Sequence, residues 1–250
     1  LYAAIGALGC GYGDEVIVSP YTMTACAMAP LIYGAIPVFA DVELETGCLD
    51  PVSVAKCISP KTKAIIVVHQ FGFPANMDKI LDLAKKNNIR IIEDCAQSHG
   101  AWYKGKRVGT IGDIGVFSLN VNKTIQSGEG GVCVTNNENL AHRLQLIRNH
   151  GEAVVGPAGT ENIINLAGFN YRMTETSAAI ARVQLQKLPE LNERRLDLVQ
   201  QLKNGLKVYD FFRPLNGPSY VDNDKDCSLS TYYVFPIRFF SKLIGLSREN

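Results

Sequence analysis

The sequence contains no lysine or arginine run longer than two residues, and its formal net charge is only +1. That removes the electrostatic footprint of a protein that binds nucleic acid or an anionic membrane surface. A membrane span is missing as well. Residues 25–40 come nearest, but Pro30, Gly34 and Pro37 interrupt them and the stretch is too short to cross a bilayer. The seven cysteines, at 10, 26, 48, 57, 95, 133 and 227, form no C-x-x-C pair and are odd in number. Several sit inside apolar runs, so they read as small buried hydrophobes of a reducing compartment, expected to be the cytoplasm, and no metal site is expected. No signal peptide is recognisable. Also absent is a strand followed by G-x-G-x-x-G and a helix. The run Gly9-Cys10-Gly11-Tyr12-Gly13 follows a helix and precedes a strand, so it is a helix stop and turn rather than a dinucleotide fingerprint. Finally, there is no opening methionine, and Leu1 already lies in a helical pattern, so the chain is expected to be a fragment.

What is present is an ordinary core-forming composition, 46% apolar and 20% charged over 250 residues, enough for one large domain or one and a fraction. Helices are expected over residues 1–8, 22–33, 51–57, 77–87 and 140–148, and strands over 15–18, 37–40, 64–68, 89–92, 114–119 and 132–134. The run at 64–68 is continuously apolar, the mark of a parallel strand buried on both faces, and 89–92, apolar but for Arg90, reads as another buried strand. Their alternation with helices predicts an α/β domain with a mainly parallel sheet. Residues 149–166 and 214–226 read as loops, 173–191 as a long amphipathic helix that 196–206 continues or restarts, and 232–238 as a strand. The expected division is a large domain over 1–193 and the start of a second, smaller domain over 194–250.

One stretch stands apart. In IGDIGVFSLNVNKTIQSGEGGVCV, residues 111–134, two strand-like runs bracket a polar bend that holds a single lysine, Lys123, and ends in Gly128-Glu129-Gly130-Gly131. Glycines there mean a sharp turn or a close approach of the backbone to something else. Ligands of parallel α/β sheets collect beyond the carboxyl ends of the strands, and Asp94, Ser118 and His69 all fall there. Asp94 alone could be a helix N-cap and Ser118 alone a turn hydroxyl. Together, a lysine able to form a Schiff base, a carboxylate for a pyridinium nitrogen and small hydroxyl residues for a phosphate suit pyridoxal phosphate.

The segments VIVSPYTMTACAMAPLIYGAIPVFADVE, IIEDCAQSHGAWYKGKRVGTIGDIGVFSLNVNKTIQSGEGG and GFNYRMTETSAA resemble the DegT/StrS-type family of sugar aminotransferases. The motifs E-D-x-A-Q-x-x-G, S-x-x-x-x-K-x-x-x-x-G-E-G-G and G-x-N-Y-R-M occur in the family's order, and the likeness covers most of residues 1–195. The resemblance implies a three-layer fold-type-I pyridoxal-phosphate domain, followed by the start of a small α+β domain. By position it implies that Lys123 is the Schiff-base lysine and the base that moves the substrate proton. Asp94 would hold the pyridine nitrogen, Gln97 would lie near the phenolic oxygen, and Ser118 would take a phosphate oxygen. Asn170 would be donated across a homodimer interface to the neighbour's phosphate, and Arg172 would orient substrate or amino donor or else pair within the fold. Met23 stands where the family often places an aromatic ring against the cofactor. For His69 and His150 a buried structural role is expected.

The implied reaction moves nitrogen from an amino acid, glutamate by resemblance, to a nucleotide-linked keto-sugar in two halves. Rival readings are a dehydratase of the same family, which typically carries histidine in place of the lysine, and a regulatory protein that keeps the fold without turnover. The family's phosphate-cradling turn precedes the helix that begins at Leu1, and most of its carboxy-terminal domain would follow Asn250. Residues 1–250 expressed alone are therefore expected to bind cofactor weakly.

Overall fold

Side chains alternate across a strand, and here each of the two faces finds its own core. In the computed structural model, which describes residues 1–152, 166–217 and 228–245, Ala64, Ile66 and Val68 pack into one cluster with Val16, Ile92 and Ile114. The intervening Ile65 and Val67 pack into another with Ile17 and Ile91. These residues are at most 3% exposed, and each such aliphatic side chain stabilises the fold by roughly 1.5–3 kcal/mol. A continuous apolar run is thus two half-cores read in alternation.

The elements run α1 (Tyr2–Ala7), β1 (Glu15–Val18), α2 (Ala25–Leu31), β2 (Ile36–Phe39), α3 (Pro51–Cys57), β3 (Thr62–Val68), α4 (Met77–Asn87), β4 (Arg90–Asp94), β5 (Trp102–Tyr103), β6 (Lys106–Arg107), β7 (Ile114–Ser118), β8 (Gly131–Val134), α5 (Glu138–Arg148), α6 (Glu175–Leu206), β9 (Phe212–Pro214) and β10 (Ile237–Phe239). Six strands form one sheet in the order β2-β1-β3-β4-β7-β8. All neighbours are parallel except β7 and β8. Residues of α1, α2 and α5 cover one face, and residues of α3, α4 and α6 cover the other. This is the three-layer α/β arrangement expected, with a mainly parallel sheet.

Local chemistry sets the element ends. Asp50 caps α3 by accepting the Val52 N–H, with Pro51 in the first turn, where its missing N–H costs nothing. Asn137 caps α5 through the Leu140 N–H, and Thr174 caps α6 through the Ser177 N–H. The short α1 is held at its carboxyl end by Arg143 of α5, whose Nε and Nη2 donate to the Ala7 and Gly6 carbonyls at 2.8 and 3.0 Å.

Two expectations change, at 22–33 and 232–238, and the choice left open at 196–206 falls to continuation. The helix at 22–33 is shorter, Ala25–Leu31, because residues 20–23 turn before it. The segments 173–191 and 196–206 are one helix of 32 residues, about 48 Å long, which runs through residues 193 and 194 without a break. The strand at 232–238 is confined to Ile237–Phe239, since the backbone just before it hydrogen-bonds loops of the large sheet instead. Parts of the loops read at 149–166 and 214–226 lie outside the described residues, as does Cys227.

Candidate functional site

Because β1, β3, β4 and β7 are parallel, the chain leaves each of them on the same edge of the sheet, after Val18, Val68, Asp94 and Ser118. The register fixes the lateral placement: Asp94 lies beside Val68 of β3 on one side and Val116 of β7 on the other. Asp94 is buried. Its Oδ1 accepts the Ala96 N–H at 3.0 Å, and its Oδ2 accepts from the Cys26 thiol of α2 at 3.2 Å. Burial, reinforced by the Asp94 charge, pushes the Cys26 thiol well up, so it stays protonated and remains a donor. An ionised carboxylate offers about four acceptor sites, which leaves Asp94 able to take a further N–H.

Gln97 is half-buried on the loop that follows. Its Oε1 accepts the Phe71 N–H at 2.8 Å, and its Nε2 stands 3.5 Å from Gln70 Oε1. Phe71 adopts φ 59°, a left-handed conformation that is costly for an aromatic residue. Gln97 therefore also supports a strained turn at the end of β3.

After Ser118 the chain enters the lysine bend. Asn120 organises it: its carbonyl accepts the Lys123 N–H at 2.9 Å, and its side chain accepts from Asn122 N and donates to Glu129. The Leu119 carbonyl and N–H bond Ser127 and Gly130, both at 2.9 Å, and close the loop. Glycine serves both purposes expected of it here. Gly128 (φ 83°) turns the chain in open space, and at Gly130 (φ 155°) a side chain would press 2.8 Å from the Met173 methyl. Among the described residues the Ser118 hydroxyl accepts a long contact from Asn120 N, at 3.4 Å. Lys123 is half-buried, and its Nζ stands 5.1 Å from the centre of the Tyr233 ring.

Asp94 and Gln97 at the end of β4, and Ser118 and Lys123 at the end of β7, thus share one edge. Met23, 69% exposed, lies beyond the end of β1. Asn170 and Arg172 are exposed and tied to the end of α5: Asn170 bridges Asn149, and Arg172 donates to Asn149 Oδ1 at 2.6 Å. Arg172 therefore bonds an amide within this chain and not a carboxylate. His150 departs from expectation, being exposed at a turn with φ 61°.

His69 is the buried structural histidine. Its Nδ1 accepts the Ala75 N–H at 3.0 Å, which assigns the proton to Nε2, 3.0 Å from Glu93 Oε2. Glu93 also accepts Gly109 N–H on Oε2 and the Ile111 and Gly112 N–H groups on Oε1, each at 2.7 Å. The crossing loop can come this close because β7 carries Gly115, where any side chain would collide with the Gly109 carbonyl. The ligand atoms of His69, Glu93 and Cys95 lie within 4.8 Å of one another, but both Glu93 oxygens are already filled by these donors.

Several neighbours of the site are not legible in the motifs. His99 is 3% exposed and packs on Phe117. One ring nitrogen faces the Ser118 carbonyl, yet neither completes a hydrogen bond among the described residues. Asn192 of α6 donates to the His99 carbonyl at 2.9 Å, and Arg195 donates to Thr124, next to Lys123, at 3.1 Å. Burial pushes the His99 imidazole down to about 4. The Ser118 carbonyl pulls it up, and Lys123 and Arg195 push it down again.

A measurable consequence follows. The unfolded imidazole takes its proton near pH 6.5 and the folded one near 4, so between those values the unfolded state holds more protons. Stability falls as pH falls through this window, by up to about 3 kcal/mol from this group. The urea midpoint should drop between pH 7 and 4.5, and His99→Leu should make that drop smaller. An equal drop in both proteins would contradict the assignment.

The donor set fits pyridoxal phosphate: an amine for its aldehyde, a buried carboxylate for its ring nitrogen, and hydroxyl and glycine groups at strand ends for its phosphate. Comparison with known proteins agrees. Residues 1–243 match the family model described as the DegT/DnrJ/EryC1/StrS aminotransferase family. The chain is 37% identical over 251 residues to L-glutamine:2-deoxy-scyllo-inosose aminotransferase of Micromonospora echinospora, covering 98% of this chain and 58% of that protein. It is 41% identical over 206 residues to GDP-perosamine synthase of Escherichia coli O157:H7, covering 82% and 56%. Among solved structures it superposes on an aminotransferase from Psychrobacter cryohalolentis with TM-score 0.88 and 35% identity, covering all of this chain and 65% of that one. The chain thus spans less than two thirds of the length of these relatives. Aminotransferases of this family depend on pyridoxal phosphate. With the family model matched over nearly its whole length, the chain belongs to the DegT/DnrJ/EryC1/StrS aminotransferase family.

Proposed function

We propose that the full-length enzyme, as a cytoplasmic homodimer, moves an amino group from glutamate to a nucleotide-linked keto-sugar. The observation that carries this reading is the placement of Lys123 on the same sheet edge as the buried Asp94, with its amine facing an aromatic ring and, among the described residues, paired with no carboxylate. When bound, pyridoxal phosphate supplies an electron sink for the carbon that loses its proton. Lys123 supplies the amine that holds the cofactor and the base that takes up and returns that proton. The Asp94 carboxylate fixes a proton on the ring nitrogen by charge, and Cys26 and the Ala96 N–H hold that carboxylate in place. Gln97 keeps an amide donor for the phenolic oxygen, since its Oε1 is committed to Phe71 and its NH2, with two N–H groups, makes one long contact to Gln70. The Ser118 hydroxyl, weakly engaged by Asn120, takes a phosphate oxygen, and the partner protomer's copy of Asn170 reaches the same phosphate. Met23 would pack on the cofactor ring. Arg172 orients the donor carboxylate or the sugar. The large domain ends near residue 193, and the rest of α6 begins the smaller one.

Two relatives bracket the chemistry. One is named for L-glutamine and a cyclitol ketone, the other for a GDP-linked amino sugar. The test is a single turnover of the cofactor-loaded, full-length enzyme with glutamate or with glutamine. One keto acid per active site from glutamate, followed by amination of a nucleotide-linked keto-sugar, is the expected result. No keto acid from either donor would overturn amino transfer, and amination of free cyclitol ketones alone would overturn the nucleotide-sugar assignment.

Asp94→Asn should remove the charge and keep the Ala96 N–H on its one remaining oxygen, while its NH2 faces the Cys26 sulfur in place of the oxygen that accepted the thiol. Turnover is expected to fall roughly 10²- to 10³-fold, the scale of losing one pre-organised electrostatic contact to a reacting group, with cofactor still carried on Lys123. Steady-state kcat measured beside cofactor content distinguishes this from simple failure to bind.

A further inference from the structure

Residues 228–233 come from the chain beyond α6, yet they lie along the strand-end loops of the large sheet. Leu229 exchanges backbone hydrogen bonds with Trp102 at 2.9 and 3.0 Å. The Thr231 N–H donates to the Gly72 carbonyl at 3.0 Å, and the Tyr233 N–H donates to the Phe71 carbonyl at 2.8 Å. Tyr232 stacks edge-on against Phe73 with ring centres 4.8 Å apart. The strap ends at Tyr233, whose hydroxyl donates to the Asn122 carbonyl at 2.9 Å and whose ring faces the Lys123 amine at 5.1 Å. One residue therefore grips the turn after β3 through its backbone, the peptide just before Lys123 through its hydroxyl, and the lysine itself through its π face.

A lysine that must be released from a cofactor and recaptured needs a fixed place to wait. On four rotatable bonds an ammonium otherwise explores a wide volume. Resting on solvent or on a carboxylate would leave it either unplaced or too strongly held. An aromatic face attracts a cation weakly and without a hydrogen bond that must be broken. We propose that Tyr233 is the positioning residue for Lys123, docking its amine whenever it is not bonded to the cofactor and anchoring the bend from which it projects. This rests on the reading of Lys123 given above.

The test uses the full-length enzyme with two variants. Tyr233→Phe keeps the ring and loses the bond to Asn122, and Tyr233→Leu loses both; each keeps the backbone bond to Phe71. In the cofactor-free enzyme, hydrogen exchange of residues 119–125 should rise about two- to tenfold in both variants, the scale of one hydrogen bond. The rate at which added pyridoxal phosphate becomes fixed to Lys123, trapped by borohydride and followed by mass, should fall a further two- to fivefold in the leucine variant only. Wild-type exchange and wild-type capture in both variants would overturn the proposal while leaving Lys123 as the attachment point. If wild-type enzyme fixes cofactor elsewhere, the reading of Lys123 falls, and this proposal with it.

Discussion

Replacing Lys123 with alanine is expected to abolish amino transfer by the full-length enzyme, lowering kcat at least ~10³-fold, while leaving the fold intact. The magnitude follows from asking one side chain to be both covalent attachment point and proton-transfer base, since each role alone is worth orders of magnitude. The fold should be indifferent. Lys123 is half-buried, and among the described residues its amine faces the Tyr233 ring, while its N–H bond to the Asn120 carbonyl survives any substitution but proline. A stability change within about 0.5 kcal/mol is expected. Lys123→Arg should fail as completely, because a guanidinium keeps its charge and offers no free amine. The measurement is kcat for amino transfer beside a urea titration of each variant. A Lys123→Ala enzyme retaining a tenth of wild-type kcat would remove Lys123 from the chemistry.

The second large effect is on stability and belongs to Glu93, one residue before Asp94. Glu93→Ala should destabilise the chain by about 4 kcal/mol or more. The substitution leaves His69 without its partner in a fully buried site and orphans the N–H groups of Gly109, Ile111 and Gly112. A buried donor left unmade costs about 1–3 kcal/mol, and four lose their acceptor here, the neutral His69 Nε2–H among them. Burial alone would raise the pKa of this carboxyl, but the His69 bond and the Gly112 and Gly109 N–H groups outweigh it and hold it below the usual range. Its folded pKa is depressed, so its contribution is present above the ordinary carboxylate pKa and is lost as pH falls through the lower folded value. Glu93→Gln should cost less, because one oxygen still accepts. Urea unfolding at pH 7 checks the order: wild type, then Gln, then Ala. An alanine variant within 1 kcal/mol of wild type would contradict the role assigned to this carboxylate.

The sheet was legible wherever burial acts on both faces of a strand. Residues 64–68 have no polar side chain to hide, and 89–92 carry only Arg90, exposed at the start of its strand, so their pattern admits little besides a central parallel strand, and β3 and β4 are found there. The chain beyond α6 was less legible. Residues 232–238 are aromatic and apolar enough to read as a strand, but that composition cannot say that Tyr233 spends its N–H on Phe71 or its hydroxyl on Asn122. The site divides in the same way. Lys123, Asp94 and Ser118 announce themselves by falling at strand ends beside glycines. Their supports do not. Cys26 reaches Asp94 from 68 residues away, and Arg195 reaches Thr124 from 71. A thiol in an apolar run and an arginine in a charge cluster carry no local sign of either contact. A buried structural role is the expectation for His150, but it follows the end of α5 at a left-handed turn on the surface, a place that no motif marks.

The account depends most on Lys123 being the residue that holds pyridoxal phosphate, and one measurement addresses that directly. The cofactor-loaded, full-length enzyme is reduced with borohydride, digested, and the modified peptide sequenced by mass spectrometry. The account predicts one pyridoxyl group per chain, on Lys123. A pyridoxyl group on any other lysine, or none at all after full loading, would contradict it.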